Sequence, residues 1–443
     1  MPEVVYLRDP VIRERAGAPG IAREAVAWPP RDSVAVFRTA LAFVGLAVAD
    51  DAFIHPEPGV VAGDHLASGL VPLAVTVLLI LVAPRLSGLL RGWLAIFAGV
   101  LAIVGGVTDG VRPIVVDRVS GDDLTAVLAG VAGIVLVALG VATLWRTRRT
   151  TGPRGRRLLR RAGLGVAILA IAVLVVLPTG IAIMATHKAR SPVEAVSLGA
   201  PYRPVQLIAS DGLRLRAWYV PSRNGAAVIA FPGRAQPVPH ARMLVRHGYG
   251  VLLLDRRGEG ASEGDYNAFG WTGERDLRAA IAYLRRRPDV DPARIGGVGL
   301  SVGGELLLQT AAHTNALRAV VSEGAGQRSL AEHLDNPEVG RVQRWLTGML
   351  AQTGAVAVLS NGEPPDGLAN LMPRIAPRPV LLIEAANGNP DEILNEVYAA
   401  RGGPSTELWK VAEGGHTGAL AATPAAYEQR VVSFLDRALL GDE

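Results

Sequence analysis

Two serines in this chain have the spacing Gly-x-Ser-x-Gly, which can present a hydroxyl group as a nucleophile. Ser301 follows a short apolar strand pattern and precedes the apolar run 305–312. Strand, turn and helix therefore occur in the order that a nucleophile elbow requires. Ser262 has the same flanking glycines, but the next residues are Glu, Gly, Asp and Tyr, which are typical of a loop. The context favours Ser301 as the nucleophile and gives Ser262 no catalytic part.

A serine hydroxyl is a poor nucleophile at neutral pH and needs a general base. The chain has eight histidines, and seven of them fall in membrane loops, helix patterns or the segment 327–377. Only His416 lies in a glycine-flanked loop, 413–418, between the last predicted strand and the last predicted helix. Such a loop can bring an imidazole over the edge of a sheet. We therefore predict that His416 is the base.

The base needs an orienting carboxylate, which we expect just after the predicted strand 380–384. Glu392 is favoured because it lies at a loop–helix junction after Asn-Gly-Asn-Pro, and its neighbour Asp391 is the alternative. Either residue could instead be an ordinary acidic residue at a helix N-terminus, where it complements the helix dipole. Glu384 continues the strand and Glu396 lies well into the next helix, but Glu323, after the preceding strand, is a rival on geometry.

Acyl transfer also needs two donors that stabilise the developing oxyanion. The backbone N–H of Val302, next to the nucleophile, is the first candidate. The second is the backbone N–H of Arg234, in the Phe-Pro-Gly-Arg turn after the predicted strand 226–231. No metal or cofactor is expected for this chemistry.

These residues together resemble the α/β-hydrolase fold family, in the branch that includes serine aminopeptidase-like, dienelactone hydrolase-like and depalmitoylase-like enzymes. The resemblance covers about residues 201–443. It is carried by Pro232-Gly233, the segment Asp-Arg-Arg-Gly-Glu-Gly-Ala-Ser-Glu-Gly at 255–264, the elbow 299–303 and Gly415-His416. It implies the chain order nucleophile, acid, base, which Ser301, Glu392 and His416 satisfy.

The elements that would position these side chains alternate between strand and helix patterns. Predicted strands lie at 205–208, 213–220, 226–231, 250–255, 294–298, 319–322, 380–384 and 406–411, and predicted helices at 239–247, 271–287 and 424–440. Such alternation favours a doubly wound, mostly parallel sheet. Residues 327–377 break the alternation, and we predict that they form a small helical lid, with Trp345, Leu346 and Met349 on a helical spacing.

The composition indicates a membrane part, because half of the residues are hydrophobic and the mean hydropathy is +0.29. After a cytoplasmic tail at 1–32, we predict a transmembrane region at 33–187 and the hydrolase-like domain at 188–443. The predicted spans are 34–54, 66–83, 89–107, 124–145 and 162–185, each close to the roughly 20 residues that cross a bilayer. The chain has no cysteine, which excludes disulfides, cysteine-ligated zinc and thiol catalysis.

Charge along the chain predicts its orientation. The net charge is +5, but the arginines cluster at the edges of apolar runs, which indicates membrane topology rather than nucleic-acid binding. The loop between spans four and five carries Arg146, Arg148, Arg149, Arg154, Arg156, Arg157, Arg160 and Arg161. By the positive-inside rule this loop is cytoplasmic, as is the N-terminus, so the hydrolase-like domain lies outside the cytoplasm.

The leading hypothesis is a membrane-anchored serine hydrolase that cleaves an ester, thioester or amide through an acyl-enzyme on Ser301. Its partners would be the lipid bilayer and a small acyl or peptide-like substrate. Few ionisable groups lie deep in the spans, so we expect them to be an anchor rather than an ion pathway. The alternatives are a non-catalytic membrane receptor or scaffold of the same fold, and a transport or signalling protein in which the spans are primary.

Overall fold

The C-terminal part of the protein is built on an eight-stranded sheet. The computed structural model describes residues 32–111, 121–147, 154–188, 197–233, 235–337, 340 and 349–441. The strands are β1 Arg203–Ile208, β2 Arg214–Val220, β3 Ala227–Phe231, β4 Gly250–Leu254, β5 Ile295–Leu300, β6 Ala319–Glu323, β7 Val380–Asn387 and β8 Thr406–Gly415. Their order across the sheet is β1-β2-β4-β3-β5-β6-β7-β8. The pairs β1–β2 and β2–β4 are antiparallel, and all other pairs are parallel.

The central strands are continuous apolar runs because both of their faces are covered. Every residue of β3 and of β4 is buried, whereas β1, at the edge, is largely exposed. Ile229 and Leu252 join the core on one face, and Val228 and Leu253 join the core on the other. Burying each such side chain stabilises the fold by about 1.5–3 kcal/mol.

Helices cover both faces of this sheet, which confirms the predicted doubly wound class. The described helices of this part are Val238–Arg246, Glu274–Leu284, Val302–His313, Leu330–Asp335, Met349–Leu359, Leu368–Leu371, Leu394–Gly402, Ala419–Ala422 and Pro424–Leu435. The helix expected over 271–287 is shorter at both ends. In contrast, β7 and β8 run past their predicted ends, because they continue to pair as far as Asn387 and Gly415.

Five N-terminal helices are long and apolar enough to cross a membrane, as the sequence predicts. They are Ser33–Ile54, Ala62–Arg85, Gly88–Thr108, Asp123–Arg146 and Ala162–Thr186. The third and fourth pack closely through glycines, since a Cβ on Gly99 would lie 2.6 Å from the carbonyl oxygen of Gly133. Except for Asp32, the predicted tail lies outside the described residues, and the boundary at 187–188 stays a prediction.

The segment 327–377 contains three of the short helices listed above, beginning at Leu330, Met349 and Leu368. Arg328 ties its start to the helix after β5, because its buried guanidinium donates to Glu305 at 3.1 Å and to Gln309 at 2.9 Å. Trp345 and Leu346, which we expected in the lid, lie outside the described residues.

Candidate active site

Ser301 lies in a sharp turn between β5 and the helix Val302–His313. Its backbone has φ 52° and ψ −127°, in the left-handed region that costs a non-glycine residue strain energy. The turn is possible because no side chain occupies positions 299 and 303. A Cβ on Gly299 would lie 2.5 Å from the backbone of Gly303, and one on Gly303 would lie 2.6 Å from the carbonyl oxygen of Phe231. This is the strained elbow geometry that exposes a serine hydroxyl at a sheet edge.

His416 follows β8 directly and contacts the serine. Its Nε2 atom lies 2.9 Å from Ser301 Oγ, and its side chain is 30% exposed. The backbone turns at once after the imidazole, since Thr417 has φ 54°. Gly324 packs closely against the imidazole ring, since a Cβ on Gly324 would lie 3.1 Å from it. The imidazole therefore has little room to move on that side.

Glu392 lies on the other side of the imidazole, with its Oε1 atom 2.6 Å from His416 Nδ1. The carboxylate is 2% exposed and is held by two backbone donors. The N–H of Asn389 donates to Oε1 at 2.7 Å, and the N–H of Ala385 donates to Oε2 at 3.3 Å. The pairing of β7 with β8 explains the encounter, because Asn387 pairs with Gly415, next to the histidine.

The other carboxylates near this edge point elsewhere. Asp391, the alternative acid, accepts a hydrogen bond from the N–H of Gln327 at 3.3 Å. Glu384 and Glu396 both contact Lys410. In the structure Asn389 and Glu392 also form a capping box, which fixes the Glu392 side chain against the backbone.

Glu323, at the end of β6, belongs to a second buried group that the sequence does not indicate. It accepts hydrogen bonds from the N–H of Ala419 at 2.9 Å and from the hydroxyl of Tyr427 at 2.8 Å. His240 Nε2 lies 3.4 Å away. Burial acts to raise the pKa of Glu323, but His240 and the two donors outweigh it and hold that pKa below its usual value. Glu323 therefore anchors the turn after His416, and its own backbone oxygen accepts from the N–H of Ser301 at 2.7 Å.

One of the two expected oxyanion donors lies directly after the serine. Val302 begins the helix after Ser301, so its N–H has no acceptor one turn earlier in that helix. Arg234 lies outside the described residues. Gly233, the residue before it in the chain, does approach the serine, because a Cβ on Gly233 would lie 3.1 Å from Ser301 Cβ.

Ser262 is buried and holds a loop together. Its hydroxyl donates to the carbonyl oxygen of Asp255 and accepts from the N–H of Arg216, both at 2.8 Å. Burial raises the pKa of the Asp255 carboxyl to about 6. Within the described ranges, no group of three or more His, Asp or Glu side chains is placed to hold a metal ion.

Several known proteins are similar to parts of this chain. A family model for X-Pro dipeptidyl-peptidase (S15 family) matches residues 169–386. The chain is 34% identical over 121 residues to the "Alpha/beta hydrolase domain-containing protein WAV2" of Arabidopsis thaliana, covering 26% of this chain and 39% of that protein. It is 27% identical over 252 residues to the "Uncharacterized protein YfhR" of Escherichia coli O157:H7, covering 53% of this chain and 81% of that protein. Among solved structures, the Pyrococcus furiosus esterase Pf2001 is similar with a TM-score of 0.44 and 22% identity, covering 56% of this chain and 99% of that chain.

Proposed function

We propose that the protein is a membrane-anchored serine hydrolase of esters, thioesters or amides, built on the α/β-hydrolase fold. The observation that carries the proposal is the hydrogen-bonded series from Ser301 Oγ through His416 to the buried carboxylate of Glu392. Amides are included because the matching family model is that of X-Pro dipeptidyl-peptidases.

The geometry supports an acyl-enzyme mechanism. As Ser301 Oγ bonds to the substrate carbonyl carbon, its proton passes to His416 Nε2. The imidazolium then gives this proton to the leaving alcohol, thiol or amine as the bond to the acyl carbon breaks. A water molecule, deprotonated by the same nitrogen, attacks the acyl-enzyme and releases the carboxylic acid and the free serine. Glu392 holds the imidazole by Nδ1 and stabilises its positive charge in both halves.

The oxyanion that forms in each half-reaction needs fixed donors in place before the reaction. In this proposal the N–H of Val302 is one of them, and the dipole of the helix Val302–His313 favours negative charge at the same place. The second donor is the N–H of Arg234, supported by the approach of Gly233 to the serine.

We assign the domain to the outer side of the membrane. The fifth apolar helix, Ala162–Thr186, has the arginine-rich segment before its start and the hydrolase domain after its end. Arginine-rich loops stay in the cytoplasm, so one crossing takes the domain to the opposite side. Cysteine introduced at an exposed domain position and labelled in intact cells with a membrane-impermeant reagent tests this orientation.

A fluorophosphonate probe tests the nucleophile in the full-length protein. We expect labelling of the wild type, no labelling of Ser301→Ala, and labelling of Ser262→Ala, which serves as the matched control. Labelling lost in Ser262→Ala but kept in Ser301→Ala would refute the assignment. A folded wild-type protein without labelling or ester turnover would instead favour the receptor or scaffold.

A further inference from the structure

The loops at the catalytic edge of the sheet also contact the membrane helices. After β4, the N–H of Gly264 donates to the carbonyl oxygen of Pro58 at 3.0 Å, and the N–H of Ala268 donates to that of Ala185 at 2.8 Å. After β6, the side chain of Asn361 donates to the carbonyl oxygen of Asp64 at 2.8 Å. The carboxyl ends of parallel strands share one edge, and this edge carries Ser301. The reactive serine is therefore on the side of the domain that faces the bilayer.

The lid helix Met349–Leu359 lies beside the N-terminal apolar helices, which in the proposed orientation places it at the depth of the outer leaflet. It packs against Leu177–Thr186, the end of the fifth apolar helix, and against Leu66–Val82, the second. The ten residues Leu177–Thr186 extend about 15 Å, which is half of a hydrocarbon core about 30 Å thick. In the proposed orientation the lid helix thus lies beside the outer half of the fifth span, and it also contacts the second.

The composition of the lid helix fits apolar surroundings. Its sequence, Met-Leu-Ala-Gln-Thr-Gly-Ala-Val-Ala-Val-Leu, contains no ionisable residue. A surface helix in water normally has a charged or polar face, whereas the polar side chains of this one are only Gln352 and Thr353. Leu350 on this helix is nevertheless 73% exposed. On the adjoining membrane helices, Met184 is 50% exposed and Leu66 is 58% exposed. In a bilayer these apolar side chains contact acyl chains.

From this placement we infer that the substrate is a long-chain acyl ester held in the outer leaflet, which reaches Ser301 sideways along the lid helix. Ester groups of membrane lipids lie at the boundary between hydrocarbon and headgroups, at the level where the catalytic edge meets the helix ends. On this route the acyl chain does not have to be extracted from the bilayer into water, which would expose its apolar surface. Hydrolysis leaves a fatty acid in the leaflet and releases the alcohol. This inference rests on the proposed serine hydrolase.

The experiment compares two esters with the same leaving group, 4-methylumbelliferyl palmitate and 4-methylumbelliferyl acetate. Full-length protein is reconstituted in vesicles of ether-linked phosphatidylcholine, which has no ester to compete. At a fixed amount of palmitate ester, further ether lipid dilutes it in the membrane, and we expect its turnover to fall in proportion. Turnover of the water-soluble acetate should not change. An ester-linked phosphatidylcholine, tested separately, shows whether a membrane lipid itself is cleaved.

A charge on the lid helix tests the route. We expect Leu350→Glu to lower the ratio of palmitate to acetate turnover about tenfold or more, because a carboxylate disfavours passage of an acyl chain. Val397→Glu is the matched control, since Val397 is also exposed (41%) but lies on a helix that packs against the sheet. It should leave the ratio unchanged.

The outcomes separate this inference from the proposed function. Acetate turnover that depends on Ser301 would support the hydrolase in every case. The inference would still be overturned by any of three results: no palmitate turnover, no effect of surface dilution, or an unchanged ratio of palmitate to acetate turnover in Leu350→Glu. The same holds if glycyl-prolyl-p-nitroanilide is cleaved in preference to both esters. Absence of turnover of every substrate, together with absence of fluorophosphonate labelling, would overturn the proposed function and the inference with it.

Discussion

Replacing Glu392 by Gln removes one negative charge beside the imidazole while keeping the shape of the side chain. The distance from Oε1 to His416 Nδ1 is 2.6 Å, at which Coulomb's law with an effective dielectric constant of about 20 gives an attraction on the order of 6 kcal/mol. The glutamine amide can still form one hydrogen bond to the ring, which recovers about 1–1.5 kcal/mol. We therefore expect a loss of about 4–5 kcal/mol of transition-state stabilisation, or about 10³–10⁴-fold in kcat.

The measurement is kcat and KM for 4-methylumbelliferyl acetate with the purified full-length protein. KM should change little, because the imidazolium exists only after proton transfer has begun. The adjacent Asp391→Asn is the matched control, since Asp391 contacts the N–H of Gln327 and not the histidine. It should keep kcat within about threefold of the wild type. The reasoning fails if Glu392→Gln keeps more than a tenth of the activity, or if Asp391→Asn loses it.

Three further predictions concern the surroundings of the site. Glu323→Gln weakens the hydrogen bond from the N–H of Ala419, which is 2.9 Å long and stabilises the turn after His416. We therefore expect kcat for the acetate ester to fall about tenfold with KM unchanged. An unchanged kcat, or a loss confined to KM, would exclude this positioning role. Burial raises the pKa of Asp255 from 3.8 to about 6. Below about pH 4 the carboxyl is protonated in both the folded and the unfolded state and does not change the free energy of unfolding. As the pH rises through 6, ionisation of the buried carboxyl lowers the free energy of unfolding by up to about 3 kcal/mol. Asp255→Asn should therefore match the wild type in Tm, followed by tryptophan fluorescence, at pH 4 and exceed it at pH 7.5; equal values at both would contradict it. Gly303→Ala places a methyl group 2.6 Å from backbone carbonyl oxygens and should lower the free energy of unfolding by about 1–3 kcal/mol, whereas Gly354→Ala, with nothing within 4 Å, should not lower it. If thermal unfolding shows equal effects of the two alanines, the close contact of position 303 with the backbone does not lower the free energy of unfolding.

The three residues expected in the triad each had a local signal. Ser301 stands between a strand pattern and a helix pattern, and His416 stands in a glycine-flanked loop after the last strand. For the acid, residue types alone left Glu392 and Asp391 open, because both lie at the same junction. The structure brings Glu392 to the histidine and turns Asp391 toward the lid. Adjacent residues in the 3₁₀ turn Pro390–Ile393 point about 120° apart, so a shift of one position decides which carboxylate faces the ring.

The sequence by itself determined the secondary structure and its broad arrangement, since apolar runs, alternation and glycine turns act within windows of about 20 residues. It also determined the five apolar helices and the elbow at Ser301. Only the tertiary structure decided which carboxylate meets His416, that Glu323 anchors the following turn, and that the lid helix Met349–Leu359 lies against the N-terminal apolar helices. These outcomes depend on contacts between residues far apart in the chain. Such contacts form only when the sheet has closed and the helices have packed, so no local pattern records them.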